Sequence, residues 1–227
     1  LKCAGYDVTV VEARDRVGGR VYSLDKFVPG KNCEGGAELI GANHPVWCFY
    51  KERFGLKWLD VSEYNDLDAP LVLDGKSLDA GDAERAHSEM DAAVKLINVD
   101  ARPIDGDEPW NSPNAEALDK KTTADWLAGI EVGDLGRRAV KIMLTADMGT
   151  PLERQSYLGI LSQVRAGGLQ CYWDHSEIYR CKGGNQQLAT KLREVVGANR
   201  VIVGLPVSAV EIRDNRAVVT CRDRRTI

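Results

Sequence analysis

The opening of the chain constrains its fold more than any other segment. Three closely spaced valines in Tyr6–Ala13 predict a strand buried on both faces, and Gly5 precedes it as the stop of a helical turn. Glu12 stands near the far end of this strand. A helix end, a buried strand and a terminal acid are typical of the second half of a dinucleotide-binding βαβ unit, in which the acid accepts hydrogen bonds from ribose hydroxyls.

A second signal, Gly18-Gly19-Arg20, follows that acid. Two adjacent glycines let a backbone approach phosphate closely, and an arginine can supply a bidentate cation. The glycine fingerprint of such a unit stands about 20 residues before the acid, whereas only eleven residues precede Glu12. The sequence is therefore expected to be an internal piece that lacks the fingerprint.

Strand-like segments at both ends of the chain flank a middle part in which apolar residues recur at helical spacing. Strands are expected over 6–13, 20–23, 71–73 with 76–78, 177–181, 200–203, 207–212 and 217–221, and helices over 45–54, 82–99, 123–127, 135–146, 153–164 and 185–196. This order predicts an α/β fold, a truncated Rossmann-like domain interrupted by a helix-rich domain. The stretch 100–114, with its prolines and acids, is predicted to be a linker or long loop.

Composition and patterning exclude several classes of protein. The formal net charge is −4 with basic and acidic residues mixed, which argues against a nucleic-acid surface. No apolar run approaches the length of a membrane span. The six cysteines form no C-x-x-C pair and no histidine stands at ligand spacing from them, so no metal site is predicted. Scattered single thiols favour a reducing, cytoplasmic location.

The histidines and tryptophans give no catalytic motif. His44 is expected beside the start of a helix, and His87 on the polar face of a helix. His175 could approach a substrate pocket, but packing is favoured. Trp110, Trp126 and Trp173 are interpreted as packing aromatics.

Three segments carry a resemblance to a known family. The run VVEARDRVGGRVYS over 10–23 resembles the second FAD motif of the flavin-containing amine oxidase superfamily, which includes monoamine, polyamine and L-amino-acid oxidases. The segment 34–41 resembles that family's Gly-Gly segment, and 179–185 its Lys-Gly-Gly turn before a helix. The likeness covers 1–60 and 178–221 well, and 61–177 only in order and length.

The resemblance implies a site and a division of the chain. The FAD-binding domain would occupy 1–69 and 178–227, with a substrate domain over 70–177. Glu12 would hold the ribose, with Ala13 beside it and Arg14 bordering adenine and ribose. The implied pyrophosphate residues are Gly18, Gly19 and Arg20, those beside the isoalloxazine are Gly35, Gly36 and Ala37, and the adenine contact is the backbone of Val207. Gly183-Gly184 is interpreted as a structural turn.

The resemblance also implies an activity. The parent protein would bind FAD and oxidise a small-molecule amine to an imine, with O₂ reoxidising the flavin to give peroxide. The family's lysine and aromatic pair near the flavin would fall after Ile227, so no catalytic residue is assigned. This piece alone is expected to be inactive and to bind FAD weakly or not at all, because the main pyrophosphate turn would precede residue 1.

Other functions stay open. The parent could be a flavoenzyme acting on a non-amine, such as a desaturase or a protoporphyrinogen oxidase, or a non-catalytic member that binds partners. A nicotinamide dehydrogenase is disfavoured because Gly-Gly-Arg is not part of that fingerprint. A sheet that lacks its first strand would expose an edge, and this predicts a possible homodimer through that edge.

Overall fold

The computed structural model describes residues 1–62, 70–214 and 216–226, and the chain divides into two compact units. Unit 1 comprises Leu1–Ile40, Pro45–Val61 and Ile178–Ile227. Unit 2 comprises Gly41–His44 and Ser62–Glu177. The predicted boundary at 69/70 adjoins residues 63–69, which lie outside the described residues. The assignment of cofactor binding to one part and substrate binding to the other stays a prediction.

Unit 1 combines short paired strands with two helices. Its strands are β1 (Val10–Val11), β2 (Ser23–Val28), β3 (Lys31–Glu34), β4 (Trp58–Asp60), β7 (Tyr179–Cys181), β8 (Val201–Ile202), β9 (Val207–Arg213) and β10 (Arg216–Cys221). Its helices are α1 (Pro45–Phe54) and α8 (Gln187–Val196). The pair β1–β8 is parallel, whereas β2–β3, β4–β7 and β9–β10 are antiparallel.

Two of these strand pairs join distant parts of the sequence. In β1–β8, Val10 pairs with Val201, and in β4–β7, Trp58 pairs with Cys181. Unit 1 is therefore built from both ends of the chain. The predicted α/β fold with a helix-rich interruption is confirmed.

The described part of unit 2 consists of helices and one small hairpin. Its helices are α2 (Ala80–Ala101), α3 (Ala115–Lys120), α4 (Thr123–Gly129), α5 (Asp134–Met148), α6 (Tyr157–Ala166) and α7 (Gln170–His175). The hairpin is β5 (Val72–Leu73) with β6 (Lys76–Ser77), and its turn residues Asp74 and Gly75 both have positive φ.

Side-chain caps and an apolar core explain the helices of unit 2. Asp79 caps α2, Thr122 and Asp125 form a capping box at α4, and Ser156 caps α6. The core contains fully buried side chains from α2, α5 and α6, including Ile97, Val140, Leu144, Leu161 and Val164. Burial of such aliphatic side chains stabilises the unit by about 1.5–3 kcal/mol each.

The predicted buried strand over Tyr6–Ala13 is wrong in length and in burial. Regular strand pairing is confined to Val10–Val11, and these two residues are exposed and half-buried. Among the described residues, β1 hydrogen-bonds only to β8. Val10 is 39% exposed, so the valines are not enclosed on both faces.

Three further predictions are corrected. The stretch 100–114 is not a free linker, because Ile104 is buried in the core and Oγ of Ser112 accepts the N–H of Asp105 at 2.8 Å. The helix expected over 153–164 is instead a 3₁₀ turn, Leu152–Arg154, followed by α6, because Ser156 caps a new start. The extended piece expected at 20–23 begins at Ser23 and continues as the hairpin β2–β3.

Within the described ranges, no helix is long and apolar enough to cross a membrane. The same residues contain no group of three or more His, Cys, Asp or Glu side chains that could hold a metal ion.

Candidate functional site

Glu12 lies at the carboxyl end of the parallel pair β1–β8. Its backbone N–H donates to the carbonyl of Ile202 (2.8 Å), and its carbonyl accepts the N–H of Leu205 (3.0 Å). Its Oε1 accepts the backbone N–H of Arg14 (2.8 Å). One carboxylate oxygen thus fixes the side chain at the strand tip, and the other has no partner among the described residues. Such an oxygen can accept a hydrogen bond from a hydroxyl group of a ligand.

The neighbouring candidate residues gather at the same strand ends. Ala13 and Arg14 are both exposed, and the Arg14 carbonyl accepts the N–H of Gly204 at 2.6 Å. Val207 is exposed and begins β9 just after this contact. The structure therefore brings four predicted residues together at the carboxyl ends of β1 and β8, where parallel sheets bind ligands.

The predicted phosphate loop has the backbone that its glycines permit. Gly18 and Gly19 have φ values of 111° and 56°, which L side chains rarely adopt. A Cβ on Gly18 would lie 2.6 Å from the carbonyl oxygen of Val21, whereas nothing lies within 4 Å of a Cβ on Gly19. The backbone is therefore closely packed at Gly18, whereas Gly19 faces open space next to the exposed Arg20.

Arg16 organises this loop, a role that the sequence analysis did not assign. Its guanidinium donates to the carbonyl oxygens of Val17 (3.4 Å), Gly19 (3.0 Å) and Val21 (3.1 Å). The spacing of charges in the motif gave no signal for this, because an arginine at a loop can equally extend into solvent. The Arg16 guanidinium therefore satisfies three carbonyl oxygens of the loop.

The second glycine segment packs along the first. Gly35 donates its N–H to the carbonyl of Tyr22 (2.7 Å), and Ala37 donates to the carbonyl of Arg20 (3.0 Å). A Cβ on Gly36 would clash with the same Arg20 carbonyl. The need for glycine at 36 follows from this backbone contact. A contact of 35–37 with a flavin ring stays a prediction.

The residues present fit the diphosphate end of a dinucleotide such as FAD. The backbone N–H groups of Gly19 and Arg20 have no acceptor in the described part of the chain, and the Arg20 guanidinium has no carboxylate partner there. Unpaired donors beside an exposed guanidinium form an anion-binding surface. Glu12 supplies the matching acceptor for a ribose.

The turn at Gly183-Gly184 is structural, as interpreted from the sequence. Both glycines have positive φ (88° and 101°), and a Cβ on Gly184 would lie 2.6 Å from Oγ of Ser23. Asn185, next in the chain, is 3% exposed and accepts the N–H of Cys181 at 2.8 Å. Close packing leaves no room for a phosphate on the side of Gly184 that faces Ser23.

The histidines do not form a catalytic group. His44 accepts the N–H of Gly41 on Nδ1 at 2.9 Å, and His87 and His175 are exposed. Trp126 packs as expected, stacked on Tyr157 with ring centres 5.3 Å apart. Trp110 does not, since it is 68% exposed.

Unit 2 contains an acidic cavity of about 320 Å³. Asp91, Asp147 and Glu177 line it together with Tyr172 and Trp173. Loss of solvation raises the pKa of Asp147 to about 6, and the charge of Glu177 adds to this shift. Burial, followed by the charges of Asp147 and Glu177, raises the pKa of Tyr172 to about 12. Asp147 adds its negative charge to the cavity above about pH 6, and Tyr172 and Trp173 provide aromatic walls.

Comparison with known proteins adds family information to this geometry. A family model described as flavin containing amine oxidoreductase matches residues 1–227. Putrescine oxidase from Kocuria rosea is 28% identical over 92% of this chain and 45% of its own length. The amine oxidase (flavin-containing) A of Canis lupus familiaris is 25% identical over 94% of this chain and 42% of its own length.

Solved structures show the same fold. The cyclohexylamine oxidase from Brevibacterium oxydans IH-35A superposes with a TM-score of 0.83 at 23% identity, over 100% of this chain and 51% of that one. At this identity the likeness shows the fold alone. The chain spans about half the length of the relatives that it matches.

Proposed function

Because this chain belongs to the flavin containing amine oxidoreductase family, we propose that residues 12–20 bind the adenosine diphosphate half of FAD in a protein that oxidises amines. The observation that carries the proposal is the position of Glu12. Its carboxylate stands at the tip of a parallel strand, and the open loop at Gly19 follows later in the same segment 12–20. Ribose and diphosphate require these two features side by side.

Each candidate residue has a role in this proposal. Glu12 accepts the ribose hydroxyls, and Arg14 and Ala13 border the adenosine. The N–H groups of Gly19 and Arg20 donate to the diphosphate, and the Arg20 guanidinium neutralises it. Gly18 permits the turn. The backbone at Val207 borders the adenine, and Gly35, Gly36 and Ala37 run toward the flavin ring.

Bound FAD would supply two-electron oxidation of the carbon that bears the amine, and O₂ would regenerate it with release of peroxide. This chain's residues would bind and orient the cofactor. Unit 2 would contribute to the binding of a small-molecule amine. The likeness to putrescine oxidase supports an amine as substrate.

The experiment uses the full-length protein that carries these residues. The protein is reconstituted with FAD, its flavin absorbance is recorded, and an anaerobic panel of mono-, di- and polyamines is added. We expect flavin bleaching by at least one amine and peroxide release when air is admitted. A set of non-amine substrates of comparable size serves as the control.

The outcomes separate the alternatives. Bleaching by a non-amine only would show a related flavoenzyme such as a desaturase. Flavin binding without bleaching by any substrate would favour a non-catalytic member. No flavin binding would refute the proposal altogether.

Among the described residues one edge of β1 has no partner strand, and this supports one further part of the proposal, a homodimer through that edge. Light scattering over a range of protein concentrations tests it. A monomer at every concentration would contradict this part alone.

A further inference from the structure

We propose that Asn185 and Gln186 are positioning residues that hold the two glycine segments, 17–20 and 35–37, in their binding conformation. The inference rests on the proposed function for what these segments bind. It goes beyond that function because neither amide is a candidate cofactor contact. Both belong to the turn before α8, more than 140 residues after the segments that they contact.

Gln186 connects the first glycine segment to β2. Its Nε2 donates to the carbonyl of Val17 at 3.0 Å, and its Oε1 accepts the backbone N–H of Ser23 at 3.1 Å. Its own backbone N–H donates to Oγ of Ser23 at 3.0 Å. One side chain therefore fixes both ends of the loop that contains Gly18, Gly19 and Arg20.

Asn185 holds the second glycine segment in the same way. Its Nδ2 donates to the carbonyl oxygens of Ala37 (3.0 Å) and Glu38 (2.6 Å). Its Oδ1 accepts the N–H of Cys181 (2.8 Å), so the whole amide is satisfied. Asn185 is 3% exposed, and a buried amide in which every group is bonded is a rigid contact.

The carboxylate of Glu34 joins the hydrogen bonds of Asn185 to those of Gln186. Oε1 of Glu34 accepts the backbone N–H of Asn185 (2.8 Å) and the hydroxyl of Ser23 (3.0 Å). Ser23 in turn bonds Gln186, as described above. The network therefore runs from one glycine segment through the turn to the other.

Such a network matters because the glycine segments have little structure of their own. Gly18 and Gly19 adopt positive φ, and an unrestrained chain loses much conformational freedom when such residues are fixed. Contacts that fix the loop before a ligand arrives reduce the entropy lost on binding. Removal of these contacts should weaken ligand binding even where no ligand contact is lost.

The test compares Gln186→Met with Gln187→Met in the full-length protein. Methionine keeps the length of the side chain and removes its hydrogen bonds. Gln187 is a matched control because its Nε2 donates within its own turn, to the carbonyls of Lys182 (2.8 Å) and Gly184 (3.0 Å). Hydrogen exchange is measured without FAD, and FAD dissociation constants and unfolding midpoints are measured in parallel.

We expect Gln186→Met to speed exchange selectively at Val21, Gly35 and Ala37, whose N–H groups close the two segments. We expect its FAD dissociation constant to rise about tenfold, the factor that corresponds to about 1.4 kcal/mol. Gln187→Met should change neither quantity. Gln186→Glu keeps the acceptor for Ser23 and loses the donor to Val17, and it decides the matter if the methionine variant does not fold.

Three results would overturn the inference. Exchange at the N–H groups of Val21, Gly35 and Ala37 could stay unchanged, or Gln186→Met and Gln187→Met could have equal effects. The third result is faster exchange spread evenly over unit 1 with a lower unfolding midpoint. The proposed function fails separately. If the unmodified protein binds no FAD, that function is refuted, whereas the exchange data still decide whether Gln186 holds the loop.

Discussion

The guanidinium carbon of Arg16 lies 4.0 Å from the ring centre of Tyr22, so the arginine is folded back over its own loop. This cation–π contact and three hydrogen bonds to loop carbonyls fix the conformation of the Arg16 side chain. The contact explains how a loop with two glycines keeps a defined shape. It also identifies a residue that would assist cofactor binding without touching the cofactor.

Replacement of this arginine tests that explanation. Arg16→Lys keeps the charge but loses the planar fork that reaches several carbonyls. We expect the FAD dissociation constant of the full-length protein to rise about tenfold, which corresponds to about 1.4 kcal/mol, because the loop is no longer held in its binding conformation. Arg213→Lys, in an exposed pair with Glu211, is the control. Equal affinity in the two variants would contradict the explanation.

A change at the strand tip tests the ribose contact. Glu12→Gln keeps an acceptor for the N–H of Arg14 but replaces a charged acceptor by a neutral one, and charged acceptors make the stronger hydrogen bonds. We expect FAD to bind about tenfold more weakly, with little change in the unfolding midpoint. Asp7→Asn provides the comparison, because Asp7 forms an exposed ion pair with Arg200 at 3.0 Å. The same loss in Asp7→Asn would show a general charge effect instead.

Two glycine substitutions separate stability from binding. A side chain at Gly36 would push against the Arg20 carbonyl, whereas nothing lies within 4 Å of a Cβ at Gly30. Gly36→Ala should lower the free energy of unfolding by about 1–3 kcal/mol and weaken FAD binding, because Arg20 must move. Gly30→Ala, at a φ of 69° in the β2–β3 turn, should lower stability through backbone strain but leave FAD affinity unchanged. Denaturant unfolding and FAD titration measure both quantities.

The acidic cavity of unit 2 predicts a dependence of stability on pH. The pKa of Asp147 is raised from 3.8 to about 6, so the folded chain holds this proton more tightly than the unfolded chain. The contribution of Asp147 to stability should therefore fall as pH rises from 3.8 to about 6 and stay lower above that range. Asp147→Asn removes the free-energy cost of a partly buried charge at this position. The unfolding midpoint of Asp147→Asn minus that of the unmodified protein should be larger above pH 6 than below pH 3.8.

Asp134→Asn is the control for this measurement, since Asp134 is an exposed residue of the same helix that pairs with Arg138. A relative midpoint of Asp147→Asn that does not change with pH would contradict the prediction. An equal change in both variants would do so as well.

Local rules predict the elements that have local signals. The helix Pro45–Phe54 is predicted with its bounds, because proline marks its first turn and Gly55 its end. The small hairpin around Asp74-Gly75 is predictable for the same kind of reason. The interrupted α/β order is also predictable, since strand and helix patterns alternate along the chain.

Elements that depend on distant contacts are not predicted. The hairpin β2–β3 carries charged and polar residues, and Phe27 within it is 73% exposed, so it lacks the alternation that marks a strand. Ile104 is a single apolar residue among acids, and its burial is decided by helices far away in sequence. The contacts of Gln186 with Val17 and Ser23 also span more than 160 residues.

The site shows the same division. The acid and the glycines are found from the sequence because backbone geometry and charge require those residue types. The side chains that hold the site together, Arg16, Asn185 and Gln186, are not. Their roles depend on which carbonyl oxygens they meet, and nothing in the local pattern specifies those partners.

The most direct test of the central claim is an FAD titration of the full-length protein and of its Arg20→Ala variant, with Arg213→Ala as the control. The Arg20 side chain is exposed and its guanidinium has no carboxylate partner within the described ranges, so its removal should not unfold the loop. The account predicts a flavin complex for the unmodified protein and an FAD dissociation constant at least about tenfold higher for Arg20→Ala alone. Equal affinity in all three proteins, or no flavin complex in any of them, would contradict it.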